Sequence, residues 1–197
     1  MRRFIVIGHE APTDPDFPLD DLPGGAGRLD LLCRSVTAGL LYSHGIRSDA
    51  SVTTLHDDAF AVEFDGAALR GLHPDERSTA ARFREALARV DEAVGMIEVD
   101  IAPGISVARR TIEQYLAALD LPLVQLHEAG DPITELPADG EYAFVLSDHR
   151  NFTPAEATVM ESVADRRVSV GPLPIHADQA ITIVQNYLDT DGYHRYG

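Results

Sequence analysis

The sequence predicts an α/β protein in which a parallel sheet is flanked by helices. First, residues 142–146 are apolar throughout, which is typical of a parallel strand covered on both faces. Second, strand and helix patterns alternate regularly from residue 123 onward. Third, 197 residues with 45% hydrophobic content suffice for one core, and no linker or repeat interrupts them. We therefore expect one domain over residues 1–197.

The N-terminal part begins with a short buried strand and a long irregular loop. The strand is predicted over residues 4–7 and ends at Gly8. The loop, residues 11–27, contains four prolines and shows no periodicity. Loops of this length in compact domains are mostly functional or disordered. Its acidic residues are also compatible with a solvated face.

The next segment carries an amphipathic helix and a first candidate site. Asp30 and Arg34 are four residues apart and share one face, and Arg28 lies at the start of the helix. One interpretation is an ion pair worth about 0.3 to 0.5 kcal/mol. The other is a polar cluster that presents guanidinium groups to phosphate. Cys33 is expected to be a packed thiol, because no histidine is close in sequence to activate it. The apolar face consists of Leu29, Leu32, Val36, Leu40 and Leu41.

The middle of the chain predicts a hairpin and two helices. Two β-branched or aromatic runs form an antiparallel hairpin inserted near residues 51–66. His56 in its connection is expected to be solvated, because no second histidine follows at metal-binding spacing. A helix is predicted from Pro74 to about Val94, and a short segment follows over residues 96–99. Ser106 is predicted to cap a further helix over residues 107–119.

Three strands of the C-terminal half end in polar or glycine-bearing loops. They are predicted over residues 123–126, 142–146 and 167–170. A capping box at Thr153 and Glu156 starts a helix between the last two. If the strands are parallel neighbours, their loops gather at one edge of the sheet. We expect these loops to form a ligand pocket there.

The loop at Gly171 lies between the last strand and the last helix. Gly171 removes a side chain and Pro172 and Pro174 each fix a φ angle, so rigid backbone is exposed. Taken alone, this loop is compatible with ligand binding or with a plain strand-to-helix connection. The last helix, which runs through Leu188, has an apolar face that suits core packing or a dimer interface. That face consists of Ala177, Ala180, Ile181, Val184 and Leu188.

The charge balance indicates an unusual environment. The formal net charge is −16, from 32 acidic and 16 basic residues, and every one of those basic residues is arginine. This pattern is expected of a halophilic protein, because concentrated salt screens repulsion within roughly 3 Å at 1 M. A GC-rich genome explains the missing lysine but not the acidity. At molar salt counterion release contributes little to RNA affinity, so the acidity does not exclude an RNA partner.

Several classes of protein are disfavoured. Cys33 is the only cysteine, which excludes an internal disulfide and a thiolate metal cluster. No apolar run reaches signal-peptide or membrane length, so we expect a cytoplasmic protein without a membrane or metal partner. The sequence has no P-loop, GxGxxG, HExxH or GxSxG motif. Ser147, Asp148 and His149 are consecutive and cannot form a hydrolase triad unaided.

Three motifs carry a resemblance that spans essentially the whole chain. They are GGAGRLDLLCR at residues 24–34, FVLSDH at residues 144–149 and VSVGPLP from residue 168. Together they resemble the archaeal tRNA pseudouridine N1-methyltransferases of the SPOUT superfamily. The resemblance implies a SPOUT-type parallel sheet with a C-terminal trefoil knot that forms the cofactor site. It also implies S-adenosylmethionine as methyl donor, a homodimer, and N1-methylation of the T-loop pseudouridine at position 54 of tRNA.

The resemblance assigns site residues as well. Arg28, Asp30 and Arg34 match an N-terminal polar motif, in which Asp30 would accept the N1 proton or orient the ring while the arginines hold phosphate. Ala180 stands where some relatives have cysteine, so no thiol acts at that position. The cofactor is expected to contact Leu126, Ser147, Asp148, His149, Val170, Gly171, Pro172, Leu173, Pro174, Ile175, His176 and Ala180.

Other substrates and roles stay open. A methyltransferase acting on pseudouridine in small-subunit ribosomal RNA is one alternative, although it would need a more basic RNA surface. A non-catalytic RNA-binding protein with the same fold is another. The C-terminal residues 193–196 would either stack on RNA bases or dock the terminus.

Overall fold

The fold is a mixed sheet of eight strands with helices on both faces. The computed structural model describes residues 1–95 and 97–197. The strands of this sheet are β1 (Arg2–Gly8), β4 (Ala50–His56), β5 (Phe60–Asp65), β6 (Val99–Ala102), β7 (Ile105–Arg109), β8 (Leu123–Pro132), β9 (Tyr142–Ser147) and β10 (Arg166–Ser169). A separate two-stranded ribbon consists of β2 (Leu41–Tyr42) and β3 (Gly45–Ile46). The helices are α1 (Leu22–Gly25), α2 (Leu29–Leu40), α3 (Glu76–Leu87), α4 (Ile112–Ala117), α5 (Pro154–Val163) and α6 (Ala177–Asp189).

The order of strands places the predicted loops together. The sheet runs β10-β8-β9-β1-β4-β5-β7-β6. The first five strands are parallel to their neighbours, and β5, β7 and β6 pair antiparallel. The prediction that the three C-terminal strands are parallel neighbours is confirmed, because β8 pairs with both β9 and β10. Their carboxyl ends therefore share one edge of the sheet.

The central strand β1 separates two hydrophobic cores. Phe4 and Val6 point to one face and Ile5 and Ile7 to the other, and all four side chains are at most 2% exposed. The larger core packs under α2, α3 and α6, and the smaller one under α4 and α5. Burying each such side chain contributes about 1.5 to 3 kcal/mol. The strands that carry the pocket loops are therefore firmly held.

The predicted hairpin and the predicted capping box are both confirmed. Strands β4 and β5 pair antiparallel, and β4 also pairs parallel with β1. Asp57 and Asp58 between them have φ values of 45° and 52°, as a tight primed turn requires. At the start of α5, the Glu156 carboxylate accepts a hydrogen bond from the Thr153 N–H at 2.7 Å. The Thr153 hydroxyl accepts one from the Glu156 N–H at 3.3 Å.

The helix predicted over residues 107–119 is wrong at its start. Residues Ile105–Arg109 form β7 because Ile105 and Val107 alternate into the core and pair with β5. The helix is α4, and its cap is Thr111, which accepts a hydrogen bond from the Gln114 N–H at 3.2 Å. In so short a run, the apolar spacing of a strand, two residues, cannot be told from that of a helix, three to four residues.

The helix predicted from Pro74 to about Val94 is shorter than expected. It ends at Leu87, and a 3-10 turn, Val90–Glu92, follows it. The segment predicted over residues 96–99 begins at Met96, which lies outside the described residues. Val99 opens β6.

The prediction of a solvated His56 is also wrong. His56 ends β4 and is fully buried. Its Nδ1 lies 2.9 Å from the Pro12 carbonyl oxygen and its Nε2 lies 2.9 Å from the Thr54 hydroxyl. Burial lowers the pKa of His56 to about 4, so the ring is neutral near pH 7. A neutral histidine satisfied on both nitrogens ties the 11–27 loop to the sheet.

The long N-terminal loop is packed on the fold. Ala11, Phe17 and Leu22 are buried in the larger core. Arg84 of α3 donates to the Phe17 carbonyl oxygen and lies 5.2 Å from the centre of the Phe17 ring. Cys33 is buried as expected, and burial raises the pKa of its thiol. The thiol is therefore a packing group.

The apolar face of α6 belongs to the core. All five of its predicted apolar residues are buried, and the helix packs against α2. Of the two roles left open for that face, core packing is the one observed. After α6 the chain turns back, and the Tyr193 ring contacts the Tyr187 ring edge-on at 5.2 Å between centres. Tyr193 therefore docks the terminus, while Tyr196 is exposed.

Candidate functional site

The middle of β8 and the loops that follow β9 and β10 line a cavity of about 600 Å³. A volume of this size is within the range of sites for cofactors and drug-sized molecules. The floor is apolar and includes Leu126, Leu146 and Ala180. Polar groups reach it from the loop after β9 and from the start of α6. The predicted pocket at this edge of the sheet is confirmed as a cavity. The strand predicted to end at Leu126 is too short, however, because β8 continues to Pro132 and itself forms this part of the wall.

The cavity brings together most of the residues predicted to bind a cofactor. Pro172 is the exception, since it does not line the wall. The residues of that set on the wall are Leu126, Ser147, Asp148, His149, Val170, Gly171, Leu173, Pro174, Ile175, His176 and Ala180.

The loop after β10 forms the outer wall of the cavity. The Ser169 hydroxyl donates to the Gly171 carbonyl oxygen at 2.7 Å and accepts from the Gly171 N–H at 3.3 Å. A Cβ atom placed on Gly171 would meet nothing within 4 Å. A side chain would therefore fit at this position, so crowding does not require a glycine there. Leu173 and Ile175 also line this wall, with exposures of 71% and 41%.

A histidine flanked by two carboxylates lies behind the β9 loop. His9 follows β1, and its Nδ1 and Nε2 lie 2.9 Å from an Asp148 oxygen and a Glu156 oxygen. The Asp148 carboxylate also accepts the backbone N–H of His9 at 2.9 Å. The side chains of His9, Asp148 and Glu156 are 9%, 4% and 12% exposed. We call this arrangement the His9 clamp.

The electrostatics of the His9 clamp favour its ionised form. The hydrogen bond to Asp148 raises the pKa of His9 to about 9, against the opposing effect of burial, and Glu156 adds to the rise. Burial would raise the pKa of Asp148, but hydrogen bonds from His9 and from the Arg150 N–H lower it overall. An imidazolium between two carboxylates therefore stands at the cavity edge near neutral pH.

The predicted N-terminal motif forms a second buried cluster. Asp30 accepts hydrogen bonds from Arg28 Nε at 3.0 Å, from Arg28 Nη2 at 3.2 Å and from Arg34 Nη1 at 3.1 Å. Burial opposes the ionisation of Asp30, but the bonds from Arg28 outweigh it and the pKa falls below its usual value. Arg34 also contacts Glu76 at 3.2 Å. We call Arg28, Asp30 and Arg34 the Asp30 cluster.

The Asp30 cluster borders the cavity. Arg34 Nε lies 3.6 Å from a carboxylate oxygen of Asp178, in the first turn of α6. The neighbours of Asp178, Ala177 and Gln179, line the cavity wall. Arg28 is close enough to Asp148 for that carboxylate to contribute to its raised pKa. The Asp30 cluster therefore lies close both to the start of α6 and to Asp148 of the His9 clamp.

Sequence reasoning missed several residues of the wall. Gln125 and Arg167 line it together, with Arg167 Nε donating to Gln125 Oε1 at 2.9 Å. They precede Leu126 and Val168 on neighbouring strands, so strand pairing could have indicated them. His9 was also missed, although its place directly after a predicted strand pointed to the same edge. Further wall residues are His127, Glu128, Arg150, Asn151, Phe152, Ala157, Ser169, Ala177 and Gln179.

The described chain, residues 1–95 and 97–197, holds no group of three or more His, Cys, Asp or Glu side chains arranged to hold a metal ion. None of its helices combines the length and the apolar character that crossing a bilayer requires.

Comparison with known proteins identifies clear relatives. The family described as "Putative SAM-dependent RNA methyltransferase" matches residues 1–193. A tRNA (pseudouridine(54)-N(1))-methyltransferase of Halobacterium salinarum is 50% identical over 196 residues, covering 100% of both chains. The enzyme of that name from Methanocella arvoryzae is 41% identical, covering 93% of this chain and 96% of its own.

A solved structure has the same fold. The crystal structure of Archaeoglobus fulgidus Nep1 bound to S-adenosylhomocysteine superposes with a TM-score of 0.62. It covers 98% of this chain and 99% of its own, at 13% sequence identity.

Proposed function

Because this chain belongs to the family of SAM-dependent RNA methyltransferases, we propose that it methylates N1 of pseudouridine 54 in the T-loop of tRNA. The observation that carries this proposal is the set of full-length relatives named for that activity, with about 50% identity over 100% of both chains. The methyl donor is S-adenosylmethionine. Enzymes that modify tRNA work where tRNA is made and used, so we expect the protein to act in the cytoplasm.

The cavity suits this donor. Leu126, Leu146 and Ala180 offer an apolar surface for a flat heterocycle. The loop after β10 carries no side chain at Gly171, where even a Cβ atom would meet nothing within 4 Å, so backbone groups are accessible there. The wall carries charged residues of both signs, Asp148 and Glu128 beside Arg150 and Arg167. These residues would hold the donor largely through backbone contacts and through the apolar floor.

The chain contributes positioning to the reaction. When bound, S-adenosylmethionine supplies a methyl group on a cationic sulfur, which N1 of pseudouridine takes up as the thioether leaves and the N1 proton is lost. Holding the two reactants in line contributes most of the rate in such transfers. The walls of the cavity fix one reactant, and the Asp30 cluster lies where the other would enter.

We assign the Asp30 cluster to the RNA. Asp30 was expected either to accept the N1 proton or to orient the ring. Its lowered pKa and three accepted hydrogen bonds make it a weak proton acceptor, so the second role is favoured. In this role Asp30 holds two guanidinium groups at fixed positions for phosphate or ring oxygens.

We propose that the C-terminal chain forms a trefoil knot around the cavity. Strand β10 pairs with two separated parts of β8, first Val124 and Gln125 and then Asp131 and Pro132. The intervening part of β8 passes so close to β10 that a Cβ on Gly130 would lie 2.5 Å from the Val168 carbonyl carbon. This close wrapping supports a threaded chain.

We also propose that the protein is a homodimer adapted to high salt. Leu173 and Ile175 are exposed large apolar side chains on one loop and suit a contact with a second copy. The net charge of −16 and the haloarchaeal source of the 50% identical relatives support the salt adaptation.

The experiment is methyl transfer from labelled S-adenosylmethionine in molar potassium chloride. Two matched tRNA transcripts are compared, one with pseudouridine at position 54 and one with uridine there. Label incorporated only into the pseudouridine transcript is the expected result. Label found only in small-subunit ribosomal RNA, or donor binding without transfer to any RNA, would contradict the proposal and favour one of the alternatives.

A further inference from the structure

We propose that His9 is a positioning residue for the donor site, acting as a protonated clamp that fixes the 147–152 loop against β1 and α5. The inference rests on the proposed function, because the ligand of that loop is taken to be the methyl donor. His9 itself stands behind the cavity wall, and its effect on the donor passes through Asp148.

The geometry of the clamp requires a charged ring. Ionised carboxylates are acceptors only, so each of the two ring nitrogens must donate a proton to the oxygen it faces at 2.9 Å. Only the imidazolium carries protons on both nitrogens. Such charge-assisted bonds are roughly twice as strong as neutral ones.

The clamp joins three separate elements. His9 follows β1, Asp148 follows β9, and Glu156 is the N3 residue of α5. The Glu156 oxygen that faces His9 also accepts the Thr153 N–H, so one atom serves both the helix cap and the clamp. The backbone N–H of His9 adds a second bond from His9 to Asp148.

The segment fixed by the clamp is the cavity wall itself. Residues 147–152 all line the cavity. Asp148 accepts the Arg150 N–H at 2.9 Å, and the Ser147 hydroxyl donates to the Arg150 carbonyl oxygen. The loop therefore has a defined shape, and the Asp148 N–H also donates to the Ile7 carbonyl oxygen of β1 at 3.0 Å. Loss of the ring charge would remove the side-chain bonds that fix the orientation of Asp148 against β1 and α5.

Other ionisable groups surround the clamp. On the His9 side Glu10 pairs with Arg150 and lies 3.7 Å from His149 Nε2. On the β9 loop, His149 Nδ1 lies 3.5 Å from Asp148. Arg28 of the Asp30 cluster contributes a positive charge towards Asp148. The chain contains no lysine, and burial raises the pKa of the Cys33 thiol. Neither kind of group therefore titrates together with His9 near pH 9.

The test is direct binding of S-adenosylhomocysteine by calorimetry to the wild type, to His9→Gln and to the exposed-histidine control His44→Gln. Near neutral pH we expect the affinity of His9→Gln to fall about tenfold, as for loss of a charged hydrogen bond. His44→Gln should bind like the wild type. Equal affinity of all three proteins would overturn the inference.

The pH profile separates positioning from simple structural support. Wild-type affinity should fall as pH rises through about 9, where His9 loses its proton, and the affinity of His9→Gln should fall less, because only the α-amino group of the ligand then changes charge. An unchanged pH profile in His9→Gln would contradict the inference, even if its affinity were low. If the wild type bound no S-adenosylhomocysteine at any pH, the proposed function would fail instead.

A second variant covers the case in which His9→Gln does not fold. Glu156→Gln keeps an oxygen to accept the Thr153 N–H but removes the charge that faces His9. It should fold, keep the α5 cap and weaken S-adenosylhomocysteine severalfold. Wild-type affinity in Glu156→Gln would show that the charge of the clamp is not needed.

Discussion

The two charged clusters beside the cavity have inverse charge arrangements. The His9 clamp places one cation between two carboxylates, whereas the Asp30 cluster places one carboxylate between two guanidinium groups. In both, hydrogen bonds to the partners outweigh burial and keep the central group ionised. Ion pairing alone therefore does not distinguish the donor side from the RNA side.

The two clusters differ in how their charges respond to pH. The clamp contains a group whose pKa is about 9, so it can lose its charge under mild conditions. The Asp30 cluster holds only arginines and a carboxylate with a lowered pKa, so its charges persist across that range. Donor binding should accordingly respond to alkaline pH, and RNA contacts should not.

The largest effect is expected from Asp148→Asn. The substitution leaves the His9 imidazolium without one of its two carboxylates and should lower the free energy of unfolding by about 3 kcal/mol. Affinity for S-adenosylhomocysteine should fall by more than about tenfold. Urea unfolding and calorimetry measure the two quantities. The control is Asp139→Asn at an exposed site, and equal losses in both variants would remove the special role of the clamp.

A smaller and more selective effect is expected from Asp30→Asn. The amide can accept from only one oxygen, so the two guanidinium groups lose their fixed positions. We expect kcat/KM for tRNA to fall about tenfold to a hundredfold, a loss of about 1.4 to 2.8 kcal/mol of transition-state stabilisation. S-adenosylhomocysteine affinity should be unchanged. Unchanged turnover, or a parallel loss of donor affinity, would break the division between the clusters.

The smallest effect concerns His56, which pairs in register with Gly8 just before His9. The pKa of His56 is lowered to about 4, below its unfolded value, so the folded state binds fewer protons. Its contribution is fully present above the unfolded pKa of about 6.5 and is lost as pH falls towards 4. The pKa of His9 is raised, so its contribution is lost in the opposite direction, as pH rises through about 9.

Urea unfolding over pH 5 to about 9 would measure both contributions in His56→Gln and His9→Gln beside the wild type. The stability advantage of the wild type over His56→Gln should shrink on the acid side by about 1 kcal/mol. The advantage over His9→Gln should shrink on the alkaline side. If the stability advantage of the wild type changed with pH in the same direction for both variants, the assignment of one neutral and one charged histidine would be refuted.

Most of the frame and much of the site were predictable from the sequence. Residues 142–146 could only be a covered strand, and the Thr153–Glu156 capping box fixed the start of α5. Parallel pairing of three strands then brought their loops together. The start of α4 was not predictable, because Ile105 and Val107 fit either period until β5 is known to lie beside them.

The two buried histidines show the limit of sequence reasoning. His9 follows β1 and His56 ends β4, and His56 was expected to be solvated. Their partners come from positions 139 and 147 residues away for His9 and 44 residues away for His56. Only the folded arrangement shows that one faces carboxylates and the other a carbonyl and a hydroxyl. The local sequence contains no signal for this difference.

The most direct test of the division between donor side and RNA side is single-turnover methyl transfer at limiting tRNA. Wild type, His9→Gln and Arg34→Gln are each measured at low and at saturating S-adenosylmethionine. Saturating donor should restore His9→Gln to near the wild-type rate, because only donor affinity is lost, while Arg34→Gln should stay slow at both concentrations. A His9→Gln rate that saturating donor does not restore, or an Arg34→Gln rate that it does, would contradict the account.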